Sequence, residues 1–263
     1  SAASDVYKRQ ILSASMLESN AIFQMVGFAF AANLTVGLIA FILSRLFGFS
    51  RKLIVAVVLT TFITNAGNFG LSLNQFAFGD EALALASIYF VCSSVMVYTI
   101  GVAVASMGKT DWKEALLNLL KYPTMYALIL AILFNSNDWS LPLPLSRSID
   151  LLAGAAIPAM LILLGMQLGQ ANFNQHKGPL ALAVGIRLVI GPLVALGLAI
   201  PFNLQGPALQ AGVTESSMPT AVMTTILATE FDAKPALVST IVTVTTVLSP
   251  LTLTPLLAYL GGG

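Results

Sequence analysis

From Leu53 to Gly79 the chain carries no charged side chain, a run long enough for a helix to cross the roughly 30 Å hydrocarbon core of a bilayer. In hydrocarbon every backbone polar group must be satisfied within the protein, which restricts such a run to helix. Yet its middle reads Thr64-Asn65-Ala66-Gly67-Asn68-Phe69-Gly70, where an ordinary membrane helix is Leu and Val. Glycine lowers helix stability by roughly 1 kcal/mol against alanine, and a side-chain amide in hydrocarbon needs a partner or a wet cavity. Two readings follow. Either the helix is interrupted at mid-depth and its freed backbone groups face a cavity, or the stretch is a small-residue packing seam joined by amide hydrogen bonds.

A second stretch favours interruption. Glu215-Ser216-Ser217-Met218-Pro219 is set in another apolar run, and a shift of 151 positions carries Asn68 onto Pro219 and Gly79 onto Glu230. Both halves then read as a polar-broken helix, a short acidic loop and an apolar helix. Paired interrupted segments in corresponding halves point to the binding site of a secondary transporter.

Composition sets the class. With 57% hydrophobic and 9% charged residues the chain is no water-soluble globule, and it reads as an all-α polytopic membrane protein whose partner is the lipid bilayer. A net charge of +1 gives no sign of nucleic acid or of an acidic macromolecular partner. The lone Cys92 lies in an apolar run, so neither a disulfide framework nor a cysteine metal site is expected, and no pattern calls for a cofactor.

Length and absence of charge mark eight spans: Ala21 to Ser44, Leu53 to Phe76, Leu83 to Ser106, Leu116 to Phe134, Ile149 to Gly169, Pro179 to Ile200, Gly206 to Thr229 and Pro235 to Leu260. When these alternate, Arg45, Arg51, Lys52, Lys109, Lys113, Lys177 and Lys234 fall on one side and Arg147 on the other. By the positive-inside rule the first side is cytoplasmic and the C-terminus lies outside a cell membrane. Gly165 to Gly169 reads as a helix-packing seam, Trp112, Tyr122, Tyr126 and Trp139 as interfacial anchors, and Pro123, Pro158 and Pro192 as kinks. His176 sits in a polar loop beside Lys177.

Two ionisable residues lie deep in this map. Arg187 is ten residues past Lys177, and Glu215 is ten past Gln205. At ~1.5 Å per residue each is about 15 Å in, near the midplane. Asn65, Asn68 and Pro219 share that depth. Such charges mark a pathway or a site by default. Arg187 and Glu215 either neutralise each other as a structural pair or line a polar cavity. There Arg187 would meet a substrate carboxylate and Glu215 would take up a proton or cation, aided by the helix N-termini at the breaks.

At these residues the chain resembles the auxin efflux carrier family of permeases, its bacterial members above all. The likeness rests on Asn65 to Gly70 with Phe78-Gly79-Asp80-Glu81, Ala156-Ile157-Pro158 with Leu164-Gly165, Arg187-Leu188 with Pro192, and Glu215 to Pro219 with Ala228-Thr229-Glu230. It implies ten helices in two inverted repeats of five, the fourth of each broken and the two breaks crossing at the substrate site. Here the crossing helices are Leu53 to Phe76 and Gly206 to Thr229. It also implies export or exchange of organic anions such as auxin, malate or malonate. Asn65, Asn68, Arg187, Glu215 and Pro219 become the candidate substrate-binding residues, and Gly67, Gly70 and Pro219 the helix breakers.

Two departures accompany the resemblance. Residues 11–20 match only the end of a second helix and Ser1 to Gln10 match nothing, so about eight of ten helices are expected. The division is a leader over 1–20, the remainder of the first repeat over 21–108 and the second repeat over 109–263. Ser72 stands where many members have proline, which leaves the first break to Gly67, Gly70 and the amides. The expected function is alternating-access transport of a small organic anion, with proton coupling and a homodimer left open. A sodium-coupled symporter of bile-acid type and a non-transporting membrane subunit are the alternatives. An intramembrane enzyme is disfavoured, because the one histidine is in a loop and no aspartate pair lies within the spans.

Overall fold

In the computed structural model, residues 19–107, 142–149, 151, 152, 155 and 176–262 are described. They are helical throughout apart from short connections. Helix α1 (Ser19–Leu46) is followed by α2 (Arg51–Phe62) and, after a break, by a wide turn at Ala66–Gly70 that leads into α3 (Leu71–Phe78). Helix α4 (Asp80–Ser106) completes the first set. The second set repeats the order: α5 (Lys177–Ala199), α6 (Gly206–Ser216), a break, α7 (Met223–Glu230) and α8 (Pro235–Gly261). The correspondence extends to length, since α3 and α7 have eight residues each and α4 and α8 have 27 each.

Helices α1, α4, α5 and α8 are each long and apolar enough to cross a membrane, and the two broken pairs lie in the remaining apolar runs. The protein is thus an all-α polytopic membrane protein, as its composition requires. Every expected span within the described residues is present to within a few residues at each end. Leu116 to Phe134 and most of Ile149 to Gly169 lie outside the described residues, as do Pro123, Pro158, the four aromatic anchors and the seam at Gly165.

Pro192 does not simply kink its helix. It cannot donate to the carbonyl four residues back, and α5 accommodates the loss with a wide π turn at Ile186–Ile190 immediately before it. That turn contains Arg187. A second wide turn, Val97–Gly101, interrupts α4.

Tertiary contacts bring the loops that carry Arg45, Arg51, Lys52, Lys177 and Lys234 to one end. The Lys52 ammonium pairs with the Asp232 carboxylate, joining the start of α2 to the α7–α8 loop, and Phe49 packs by Gly178 at the start of α5. At the opposite end Gln210 Nε2 donates to the Leu260 carbonyl at 3.1 Å, and Phe202 closes on Gly27 of α1. Two apolar clusters fill the interior. One holds Val36, Ile54, Phe62, Val238 and Ile241 near the basic end, and the other holds Met25, Phe28, Leu85, Leu204 and Leu256 toward the opposite end. Ile63 and Ala221 belong to the first, and Ala66 and Met218 to the second, so the two breaks lie where the clusters meet.

Candidate functional site

A helix that stops in mid-membrane frees the carbonyls of its last turn and the N–H groups of the next helix, and each needs a partner. The two breaks satisfy one another. Thr64 and Thr220 form an antiparallel bridge in which Asn65 N donates to the Pro219 carbonyl at 2.8 Å and Ala221 N to the Ile63 carbonyl at 3.1 Å. Side chains take up further carbonyls at the end of α2. Thr220 Oγ1 donates to Thr60 O at 2.6 Å, and Arg187 Nη1 to Thr61 O at 2.6 Å. Arg187 Nη2 donates to Ser216 O at the end of α6. The amide of Thr220 donates to Thr245 Oγ1 of α8 at 3.2 Å. The expectation of two crossing interrupted helices is therefore met, and Arg187 ties the C-terminal ends of both first half-helices to α5.

The break in the first helix covers Ile63 to Asn65, at the start of the expected stretch and upstream of the two glycines expected to cause it. The chain is extended at Ile63, whereas Gly67 and Gly70 fall within the wide turn that starts the second half-helix. These glycines provide room rather than interruption. A Cβ on Gly67 would lie 2.6 Å from the Phe90 ring, and one on Gly70 would lie 2.2 Å from Glu215 Oε2. A proline in place of Ser72, in the first turn of α3, is not needed to stop the helix, because the mutual pairing of the breaks already does so. Pro219 does lie in the break of the second helix, between α6 and α7.

Glu215 is fully buried at the end of α6. Its Oε1 accepts from Asn74 Nδ2 at 2.9 Å, and the same amide nitrogen reaches the Gly70 carbonyl at 3.0 Å. Among the described residues Glu215 forms no ion pair with Arg187, and Oε2 has no hydrogen-bond partner. The two buried charges are satisfied separately, Arg187 by main-chain carbonyls and Glu215 by an amide. Asn65 is buried with its Nδ2 unpartnered, and Arg187 Nε is likewise unpartnered. Asn68 lies in the wide turn, half-buried, and its side chain takes no part in the hydrogen bonds of the crossing.

Several residues of this centre escape a reading by sequence depth and charge. Asn33 of α1 donates to the Tyr89 hydroxyl at 3.0 Å. Asn33, Tyr89, Asn74, Thr220 and Thr245 are all buried. Each is a neutral polar side chain; Asn33 and Tyr89 stand among mainly apolar neighbours, a signal that could have marked them, whereas Asn74, Thr220 and Thr245 have other polar residues close by in the chain and carry no such mark. Charge was the stronger cue, and it found only Arg187 and Glu215.

A polar centre at the crossing of two interrupted membrane helices defines a membrane transport architecture. The chain belongs to the membrane transport protein family, whose model matches residues 106–257, more than half of the sequence. Relatives it resembles include proteins named as transporters and as efflux carriers. An uncharacterized transporter of Methanothermobacter thermautotrophicus is 28% identical over 81% of this chain and 70% of its own length. A Rhizobium meliloti protein named for malonate transport is 26% identical over 76% of this chain and 65% of its own. Auxin efflux carrier component 6 of Arabidopsis thaliana is 24% identical over 53% of this chain and 27% of that longer protein. The resemblance to auxin efflux carriers read from the motifs is thereby upheld.

Proposed function

We propose that the protein is a secondary carrier for a small organic anion of the carboxylate class, working by alternating access about the helix crossing. The observation that carries this reading is the crossing itself, where two half-helices end and two begin around buried polar groups with unused hydrogen-bonding capacity. Relatives named for malonate and for auxin, both carboxylic acids, support the substrate class. In this reading residues 21–108 and 109–263 are the two repeats, the basic end faces the cytoplasm in a cell membrane, and the C-terminus lies outside.

Asn65 is the proposed substrate donor, through its unpartnered amide, with Asn68 beside it on the half-buried face of the turn. Arg187 supplies positive charge at the crossing. Because two of its nitrogens hold the Thr61 and Ser216 carbonyls, a forked grip on a carboxylate would require it to release one of them. Pro219 shapes the second break. Glu215 is the proposed proton acceptor, since one of its oxygens is held and the other is uncommitted.

The test is flux of labelled mono- and dicarboxylates into liposomes containing the purified protein. Saturable exchange of at least one carboxylate is expected, together with its loss in Asn65→Ala. Absence of flux for every carboxylate, with correct insertion verified, would remove the carrier reading. Glu215→Gln should exchange substrate but fail to accumulate it against a gradient. Accumulation that follows sodium rather than pH, measured with choline replacing sodium, would favour the symporter alternative.

A further inference from the structure

An apolar groove opens between α1, α2 and α4, apart from the polar centre, and encloses about 480 Å³. Small-molecule sites commonly enclose roughly 300–1,000 Å³. Leu34 and Leu38 of α1, Val55 and Phe62 of α2 and Val104 of α4 line it, and Leu38 is 58% exposed. Its end at the basic face carries Arg45 and Arg51. Both arginines are exposed, and among the described residues neither has an acidic partner, because the ion pair of that face uses Lys52.

The length of the groove identifies what fits. From Arg45 back to Leu34 along α1, and from Arg51 on to Phe62 along α2, each wall rises about 16 Å at ~1.5 Å per residue. That is about half of a ~30 Å hydrocarbon core, or one leaflet. The groove is therefore cationic at headgroup depth and apolar from there to the midplane. A small polar anion would leave most of this wall unused, and a zwitterionic lipid would leave the two guanidinium groups without net compensation. We propose that the groove binds an anionic phospholipid of the leaflet at the basic end, one acyl chain lying between α1, α2 and α4 and the phosphate held by Arg45 and Arg51. Basic pockets between membrane helices hold anionic headgroups by the same combination of charge and apolar wall.

This inference does not depend on the carrier reading. The experiment is native mass spectrometry of the full chain released from detergent, supplied with phosphatidylglycerol or with phosphatidylcholine of identical acyl chains. Retention of phosphatidylglycerol over phosphatidylcholine is expected. Arg45→Gln with Arg51→Gln should weaken that retention about 30-fold, the loss of two surface cations' attraction to an anionic lipid. Lys177→Gln with Lys234→Gln, which removes two charges of the same face that do not line the groove, should leave it within about twofold, since detergent offers those charges no anionic leaflet, and a loss equal to that of the arginine variant would overturn the proposal. Val104→Trp, filling the apolar wall while keeping both arginines, should also release the lipid. Equal retention of the two lipids, or undiminished selectivity in the arginine variant, would overturn the proposal. So would failure of the unaltered protein to retain phosphatidylglycerol, the result expected if another part of the chain or a second copy fills the groove. Displacement of the lipid by glycerol phosphate alone would reassign the site to a free phosphate and overturn it equally.

Discussion

Gly70 and Glu215 share a space that admits only one side chain. The Cβ of an alanine at Gly70 would lie 2.2 Å from the Glu215 carboxylate, which is fully buried and held by Asn74. Overpacking of this kind costs about 1–3 kcal/mol. Gly70→Ala should therefore lower the thermal midpoint in detergent, and adding Glu215→Ala should recover most of the loss. No recovery in the double variant would show that Gly70 is needed for its backbone rather than for this contact. Arg187 poses a different problem. Removing it leaves the Thr61 and Ser216 carbonyls without a donor, and a buried unsatisfied acceptor costs about 1–3 kcal/mol. If Arg187 and Glu215 formed a buried pair, replacing both by leucine would cancel much of the single losses. Since each is satisfied by other groups, the losses in Arg187→Leu with Glu215→Leu should add instead. Thermal unfolding of the two single variants and the double one decides between these outcomes. Arg187→Lys should also be defective, because a single ammonium does not present the planar fork that reaches two carbonyls.

Elements in this protein are held open by each other. An isolated chain with the Leu53 to Gly79 sequence has no reason to stop at Phe62, since Ile63 and Thr64 are compatible with helix at modest cost. It stops because the extended segment pairs with the second break, through Asn65 N to Pro219 O and Ala221 N to Ile63 O. The φ of Asn65 is −78°, which a proline can adopt. Asn65→Pro thus removes the donor without opposing the backbone conformation, and it should destabilise the protein by about 1–3 kcal/mol. Pro219→Ala keeps the accepting carbonyl and should cost less. The reverse ranking in thermal unfolding would show that the rigid ring of Pro219, not the hydrogen bond between the breaks, maintains the interruption. At the same scale, Pro192 is compatible with a continuous α5 because the helix widens at Ile186–Ile190, and the same turn contains Arg187.

At the scale of the molecule, the loops bearing Arg45, Arg51, Lys52, Lys177 and Lys234 come together at one end, joined by the Lys52–Asp232 pair. That pair is solvent-exposed and contributes about 0–1 kcal/mol, so its value is as a marker of sidedness rather than as a staple. In a Cys92→Ser background, cysteine at Ser50 should react with an impermeant reagent only after the inner face is opened, and cysteine at Gln205 should react from outside. The opposite pattern would reverse the proposed orientation while leaving the fold intact.

The membrane class, the position of the spans among the described residues and the existence of two interruptions follow from the sequence alone. All three depend on what hydrocarbon excludes, and charge, amides and glycine are visible residue by residue. Glycine at 67 and 70 drew attention to the correct helix, but for a reason that only packing reveals: Phe90 and Glu215 come from other helices to occupy the places their side chains would take. Partner choice was equally hidden. Arg187 and Glu215 share a depth, which made them look like a pair, yet depth says nothing of azimuth around a helix or of what the neighbouring backbone leaves unsatisfied. The freed carbonyls at Thr61 and Ser216 exist only once both helices have broken, and they outcompete the carboxylate for the guanidinium. The neutral residues Asn33, Asn74, Tyr89 and Thr245 gain their roles the same way, from groups tens of positions distant that only tertiary packing brings within hydrogen-bonding reach.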